Sequence, residues 1–212
     1  MPKKEDPVIL SYKDSLIRQS DLNILSGPFW LNDAIIEFYF EYIQNETSKS
    51  EEILLISPAV TQCLKGTDPS QVSVFLDPLQ AKEKKLICLA VNDCENFNSP
   101  GGSHWSLLVF SKYEKTFYHF DSSTGSNYQQ AQKVVSNICD YFNCSDELSE
   151  EKTLQQSNSY DCGIHLLCCV KNIATHAIDH EDINELPQIS RSCVAGMRND
   201  ITYIIKHLAS NI

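Results

Sequence analysis

The chain has 212 residues, of which 42% are hydrophobic and 21% charged, a globular composition rather than a disordered one. Its net charge of −11 argues against a nucleic-acid partner, because phosphates call for clustered lysine and arginine. No apolar run approaches the roughly 18–20 residues of a membrane span, and the first residues lack the apolar core of a secretory signal. We therefore expect a single soluble domain over residues 1–212, without membrane association, in the cytoplasm, the nucleus or both.

Nine cysteines raise the question of disulfide bonds or a zinc site. Their number is odd, no two of them have C-x-x-C spacing, and the histidines show no ligand spacing either. We therefore expect reduced thiols, most of them small buried apolar groups, with no metal and no organic cofactor. The nine positions are Cys63, Cys88, Cys94, Cys139, Cys144, Cys162, Cys168, Cys169 and Cys193.

The first strong secondary-structure signal is a helix. Residues 30–43 carry apolar side chains at helical spacing, and Asn32 or Asp33 is placed to cap the N-terminus. The polar segment 45–52 predicts a loop. We expect residues 53–65 to form a second, short helix.

The middle of the chain predicts a sheet. Residues 86–91 (LICLAV) are a continuous apolar run, typical of a strand buried on both faces. After a loop over residues 92–103, residues 105–110 and 116–120 favour strands and predict a hairpin. Helical spacing returns over residues 129–142, 163–176 and 201–208. The sequence therefore predicts the α+β class, with a central, mostly antiparallel sheet flanked by helices.

The hairpin brings His104 and Asp121 to the same end of the sheet. Simple pairing about a Glu114–Lys115 turn places Asp121 opposite Leu108, four residues from His104. That separation is about 13 Å along a strand, too far for a hydrogen bond. We therefore expect a bulge or a bend to close the gap if the two side chains meet.

Cys162 stands at the start of the predicted helix over residues 163–176. A thiol there feels the positive end of the helix dipole, and a nearby imidazolium would lower its pKa further. Gly163 removes side-chain bulk beside the thiol, so that a substrate backbone can approach. This is the setting in which a nucleophilic cysteine is expected.

Three further residues complete the parts that a thiol protease needs. Gln156 could direct its amide at a developing oxyanion, with the Cys162 N–H as second donor. Asp121 would orient His104 and stabilise its charged form, and His104 would protonate the leaving amine. Each residue alone has an ordinary structural explanation, and only the joint pattern points to catalysis.

Three motifs give the chain its resemblance to a known family: Trp30-Leu31-Asn32-Asp33, His104-Trp105-Ser106-Leu107-Leu108, and Gln156 through Asp161-Cys162-Gly163. The sequence resembles the sentrin/SUMO-specific proteases, also called Ulp-type cysteine proteases. The resemblance implies a papain-like, Ulp-type catalytic domain. It also implies a triad of His104, Asp121 and Cys162, with Gln156 at the oxyanion.

The resemblance further implies an isopeptidase that cuts after the C-terminal Gly-Gly of a ubiquitin-like modifier, both in precursors and in lysine conjugates. Trp30 and Trp105 would line a narrow tunnel for that tail, since only glycines are slim enough to pass between flat rings. The loop over residues 92–103 would be a mobile gate beside the tail. The other implied substrate-binding residues are Asp33, Asn92, Gly101 and Gly102.

Within the family, the run FWLNDAIIEFYFEY and the phrase VND look most like the deneddylase member. The implied partners are the neddylation modifier and its conjugates, such as cullins, bound by a monomeric enzyme. Three alternatives stay open: a SUMO-specific protease, an acyltransferase with the same Cys-His-Asp set, and a non-catalytic module that binds a ubiquitin-like protein. The presence of both Cys162 and Gln156 argues against the last, because a pure binder needs neither.

Overall fold

The computed structural model describes residues 5–46, 52–96, 101–176, 183 and 186–211. Its strands are β1 (Val8–Tyr12), β2 (Ser15–Arg18), β3 (Ile53–Ile56), β4 (Leu86–Asn92), β5 (Trp105–Ser111), β6 (Thr116–Phe120) and β7 (Leu148–Glu151). Its α-helices are α1 (Gln19–Leu25), α2 (Asp33–Glu46), α3 (Pro58–Gly66), α4 (Ser73–Leu76), α5 (Tyr128–Phe142), α6 (Cys162–His176) and α7 (Arg191–Ala209).

Strands β3 to β7 form one sheet in the order β3-β4-β5-β6-β7, and β1 and β2 form a separate hairpin. In the middle of the sheet, β5 pairs antiparallel with both β4 and β6. The two outer pairings, β3 with β4 and β6 with β7, are parallel. The α+β class is confirmed, and the antiparallel part of the sheet is its centre.

Both faces of β4 are buried, as its continuous apolar run predicts. Leu86, Cys88 and Ala90 belong to a core shared with α2, α6 and α7. The alternate residues Ile87 and Leu89 belong to a second core with α3 and α5 on the other face. The sheet therefore lies between two helical layers, and β4 and β5 are its most enclosed strands.

The prediction of a helix over residues 53–65 is wrong in its first part. Ile53–Ile56 is β3, which pairs parallel with β4, and the helix α3 begins only at Pro58. Ser57 caps that helix by accepting a hydrogen bond from the N–H of Val60. These four apolar residues lie beside the free edge of β4 and form backbone hydrogen bonds with it. Apolar spacing along the sequence cannot show this, because the partner strand is remote.

Helix α2 begins as predicted, because Asn32 Oδ1 accepts the N–H of Ile35 at 3.1 Å and so caps it. The helix continues through Glu46, two residues into the predicted polar loop, of which residues 47–51 lie outside the described part. Helix α5 matches its prediction closely. Helix α7 begins ten residues before the predicted segment, where Ser190 accepts the N–H of Cys193.

The β5–β6 hairpin is also as predicted, but its register differs by two residues. Ser111 pairs with Thr116 and Leu107 with Phe120, so the turn spans residues 112–115. Lys115 takes up a left-handed conformation (φ 52°) at the end of that turn. The expected pairing of Asp121 with Leu108 is therefore wrong, and no bulge is needed to bring Asp121 toward His104.

All nine cysteines are free thiols, and five of them are buried. Within the described part of the chain, the helices are too short or too polar to cross a bilayer.

Candidate active site

His104 and Asp121 are in direct contact at the end of the central hairpin. Continuing the β5–β6 register places Asp121 opposite Ser106, two residues from His104 and on the same face of the sheet. Such a diagonal pair has backbones about 7–8 Å apart, within reach of two side chains. The His104 Nε2 to Asp121 Oδ1 distance is 2.6 Å, and both side chains are buried.

Asp121 is held as a carboxylate by three donors. Besides His104, the backbone N–H groups of Ser123 and Asn127 donate to its two oxygens at 2.9 and 3.0 Å. Burial would raise the pKa of Asp121, but the hydrogen bonds from His104, Asn127 and Ser123 outweigh it and lower the pKa. The group therefore stays charged next to the imidazole.

The pKa of His104 is raised to about 9. Burial alone would lower it, but the hydrogen bonds that the ring makes with Asp121 and with Cys162 favour the imidazolium more strongly. The imidazole therefore interacts both with the carboxylate of Asp121 and with the thiol of Cys162.

Cys162 is the first residue of α6, as predicted, and only 1% of it is exposed. The N–H groups of a first helical turn have no acceptor within the helix and point toward incoming negative charge. The next residue, Gly163, is pressed against Leu31: a Cβ there would lie 3.0 Å from the Cβ of Leu31. The space beside Gly163 is thus filled by Leu31 rather than left for a substrate, which corrects our expectation for this glycine.

Gln156 lies in the loop before Cys162, and hydrogen bonds hold both the oxygen and the nitrogen of its side-chain amide. Ser122 Oγ donates to Gln156 Oε1 at 2.7 Å, and Gln156 Nε2 donates to the carbonyl of Asn158 at 2.7 Å. Its backbone N–H also donates to the carbonyl of Ser122 at 2.8 Å. The amide NH₂ is therefore directed toward the loop that carries Cys162.

All six predicted substrate-binding residues lie around one groove of about 620 Å³. Trp30 is 52% exposed, whereas Trp105 is buried and donates its indole N–H to the carbonyl of Leu31 at 3.0 Å. The groove lies near Cys162, because Leu31, one of its lining residues, also packs on Gly163. The lining residues are Trp30, Leu31, Asn32, Asp33, Ala34, Asn92, Gly101, Gly102, Ser103 and Trp105.

Asp93 holds together the two ends of the loop over residues 92–103, which we expect to act as a gate. The Asp93 carboxylate accepts hydrogen bonds from the N–H and the hydroxyl of Ser103 and from the N–H of His104, at 2.6–3.0 Å. Gly102 is left-handed (φ 92°), and a Cβ there would overlap Asn92 Oδ1 at 2.0 Å, so only glycine fits. Residues 97–100 lie outside the described part, and the gate stays a prediction.

Asn127 is a buried site residue that sequence reasoning missed. Its Nδ2 lies 3.2 Å from the carbonyl of Val91, 3.3 Å from that of His104, and 3.1 Å from Ser106 Oγ. Its backbone N–H holds Asp121, as described above. One asparagine therefore holds the backbone of His104 and the side chain of Asp121, and no sequence motif marks it.

Comparison with known proteins identifies relatives over most of the chain. Residues 29–209 match the model of the Ulp1 protease family, C-terminal catalytic domain. Sentrin-specific protease 8 of Homo sapiens is 38% identical over 210 residues, covering 96% of this chain and 99% of the human protein. NEDD8-specific protease 1 of Arabidopsis thaliana is 39% identical over 173 residues, covering 80% of this chain and 76% of the plant protein.

Among solved structures, the C-terminal Ulp1 protease domain in complex with Smt3, the yeast ortholog of SUMO, has the same fold. The TM-score is 0.77, with 98% of this chain and 90% of the other covered. Sequence identity is 19%, so this likeness concerns the fold alone.

We predict that Asp121→Asn makes stability depend less on pH. The raised pKa of His104 means that its charged interactions stabilise the folded state fully below about pH 6.5 and are lost as the pH rises through 9. The wild type should therefore be more stable than the variant at pH 6. This difference in the free energy of unfolding should shrink by about 2–3 kcal/mol between pH 6 and pH 10. Denaturant titrations at several pH values measure it, with Asp146→Asn as an exposed control. A pH-independent difference would contradict the account.

We predict that Asn127→Ala lowers kcat/KM by about tenfold or more, because Asp121 and the His104 backbone lose a shared support. Stability should fall by about 1–3 kcal/mol. Asn137 is the matched control: its Nδ2 also donates to two backbone carbonyls, those of Leu64 and Lys65, at 3.0 and 3.1 Å. Asn137→Ala should lose stability but keep its activity, and equal activity losses in the two variants would rule out a specific role for Asn127.

Proposed function

This chain belongs to the Ulp1 protease family and is a cysteine protease that acts on ubiquitin-like modifiers, and we propose that its own modifier is NEDD8. It would mature NEDD8 precursors and release NEDD8 from lysine side chains of conjugates. The observation that carries this proposal is the 2.6 Å hydrogen bond between His104 and Asp121, with Cys162 close enough to raise the pKa of His104 and with a groove lined by Trp30 and Trp105 nearby. The name of the plant relative, NEDD8-specific protease 1, supports the choice of modifier.

In this proposal the modifier tail lies extended in the groove with its last two glycines between the tryptophans. The indole of Trp105 is fixed through its N–H, and that of Trp30 donates to the carbonyl of Ser159 at 2.5 Å. Side chains larger than hydrogen would collide with rings held this way. Asp33, Asn92 and the glycines of the loop end would contact the tail from the sides of the groove.

Catalysis would begin with attack of the Cys162 sulfur, its proton already held by His104, on the carbonyl carbon of the terminal glycine. Gln156 Nε2 and the Cys162 N–H would stabilise the oxyanion. His104, protonated at neutral pH because of its raised pKa, would give its proton to the leaving lysine amine. A thioester to Cys162 remains, and water deprotonated by His104 would hydrolyse it to free enzyme and modifier. Asp121 would hold the ring in place throughout.

We further propose that the enzyme works as a monomer in the cytoplasm or nucleus, with neddylated cullins among its conjugates. The acidic surface, with a net charge of −11, would favour encounter with basic partner surfaces, although such acidity also serves solubility.

The first test is Cys162→Ala, which should lower NEDD8 precursor cleavage by about a thousandfold or more while NEDD8 binding persists. The loss of the sulfur removes the nucleophile, but the groove is unchanged. Cys63→Ala is the matched control, because Cys63 is an exposed free thiol. Near wild-type turnover by Cys162→Ala would overturn the cysteine protease mechanism.

The second test compares kcat/KM for precursors of NEDD8, SUMO and ubiquitin under one condition. We expect NEDD8 to be processed best. Fastest cleavage of SUMO would overturn the choice of modifier and leave the protease intact. Association with NEDD8 without any cleavage would indicate a binding module, and a requirement for an acyl donor would indicate an acyltransferase.

A further inference from the structure

Arg198, in the middle of α7, makes four hydrogen bonds close to the site. Its Nε and Nη2 donate to Asp161 Oδ1 at 3.2 and 2.8 Å. Nη1 donates to the carbonyl of Ile24 at 3.0 Å, and Nη2 donates to that of Phe29 at 2.7 Å. The guanidinium also lies 5.9 Å from the ring centroid of Tyr160. Arg198 therefore joins α7 to two segments that are distant from it in sequence, one around Asp161 and one that includes Ile24 and Phe29.

The first of these segments is the loop that carries the nucleophile. Asp161 directly precedes Cys162, and its second oxygen accepts Asn158 Nδ2 at 2.8 Å. Asn158 Oδ1 in turn accepts the N–H groups of Tyr160 and Asp161, both at 3.0 Å. This ring of hydrogen bonds makes the loop one rigid unit, and Arg198 fixes that unit to α7.

The second segment carries the outer wall of the groove. Phe29 directly precedes Trp30, so the bond from Arg198 to the Phe29 carbonyl fixes the backbone on which the exposed indole stands. Trp30 also bridges to the nucleophile loop through its bond to the Ser159 carbonyl. The spacing between Trp30 and the loop is thus set at two points, one at the indole and one at Arg198.

An arginine is suited to this position because its planar fork carries five donors in fixed directions. The ion pair is largely enclosed, with side-chain exposures of 16% for Arg198 and 17% for Asp161, so solvent screens it little. A lysine could keep the charge near Asp161 but could not reach two separate carbonyls as well.

We propose that Arg198 is a positioning residue that sets the distance between the Trp30 wall and the nucleophile loop, and thereby the fit of the modifier tail at Cys162. It touches neither the substrate nor the reacting atoms. It acts through Asp161 on one side and through the backbone at Phe29 on the other. The inference rests on the proposed function in that a modifier tail occupies the groove.

The test is Arg198→Gln, assayed by kcat and KM on a NEDD8 precursor at a temperature where thermal melts show the variant folded. A misplacement of about 1 Å at the groove mouth should lower kcat/KM by about 10- to 100-fold. Alkylation of Cys162 by iodoacetamide, followed by mass spectrometry of its peptide, should change little, because His104 and Asp121 are untouched. Arg191→Gln, an exposed arginine at the start of α7, is the matched control.

Arg198→Lys keeps the helix and the charge and should lose less activity than Arg198→Gln, with the loss mainly in KM. Unchanged kcat/KM in Arg198→Gln would overturn the proposal. So would a parallel loss of iodoacetamide reactivity, which would mean that the Cys162–His104 pair itself had collapsed. If the wild type does not cleave the NEDD8 precursor, the choice of modifier fails instead, and the same comparison is made with the SUMO precursor.

Discussion

The register of the β5–β6 hairpin is the constraint on which the site depends. With Ser111 opposite Thr116, Asp121 falls two residues from His104 and on the same face of the sheet. A slip of one residue would turn the carboxylate to the other face, and a slip of two, to the pairing with Leu108, would leave it about 13 Å along the strand from His104. The 2.6 Å contact, the low pKa of the acid and the high pKa of the base all follow from this pairing.

Cys162 reaches that pair from another layer of the fold. Helix α6 packs in the core beneath β5, and the absence of a side chain at Gly163 lets Leu31 lie against its first turn. The same segment, residues 30–34, supplies one wall of the groove. Helix α6, which begins with Cys162, and this wall of the groove thus meet at one contact, between Gly163 and Leu31. Arg198 binds the residues just before Cys162 and just before Trp30. In the proposed function, this would couple the position of the attacking sulfur to the fit of the tail.

Local patterns in the sequence were sufficient to predict the central strands, the hairpin, α5, α6 and the α+β class, because each has a clear apolar period. They missed β3 and β7, whose parallel partners are supplied by remote strands. The predicted triad, Gln156 and the groove residues do come together in space. The hairpin register was predicted two residues off because the sequence does not fix where the turn is centred. Asn127 and Arg198 escaped notice, since their partners are mostly backbone carbonyls that no motif records.

The central claim is that one thiol among nine, Cys162, is placed to receive the carboxyl end of a ubiquitin-like tail. The most direct test is to incubate the wild-type protein with NEDD8 carrying a C-terminal electrophile and to map the adduct by mass spectrometry. The account predicts one covalent adduct, on Cys162, formed without reaction of the exposed Cys63. An adduct on any other cysteine, or binding without an adduct, would contradict it.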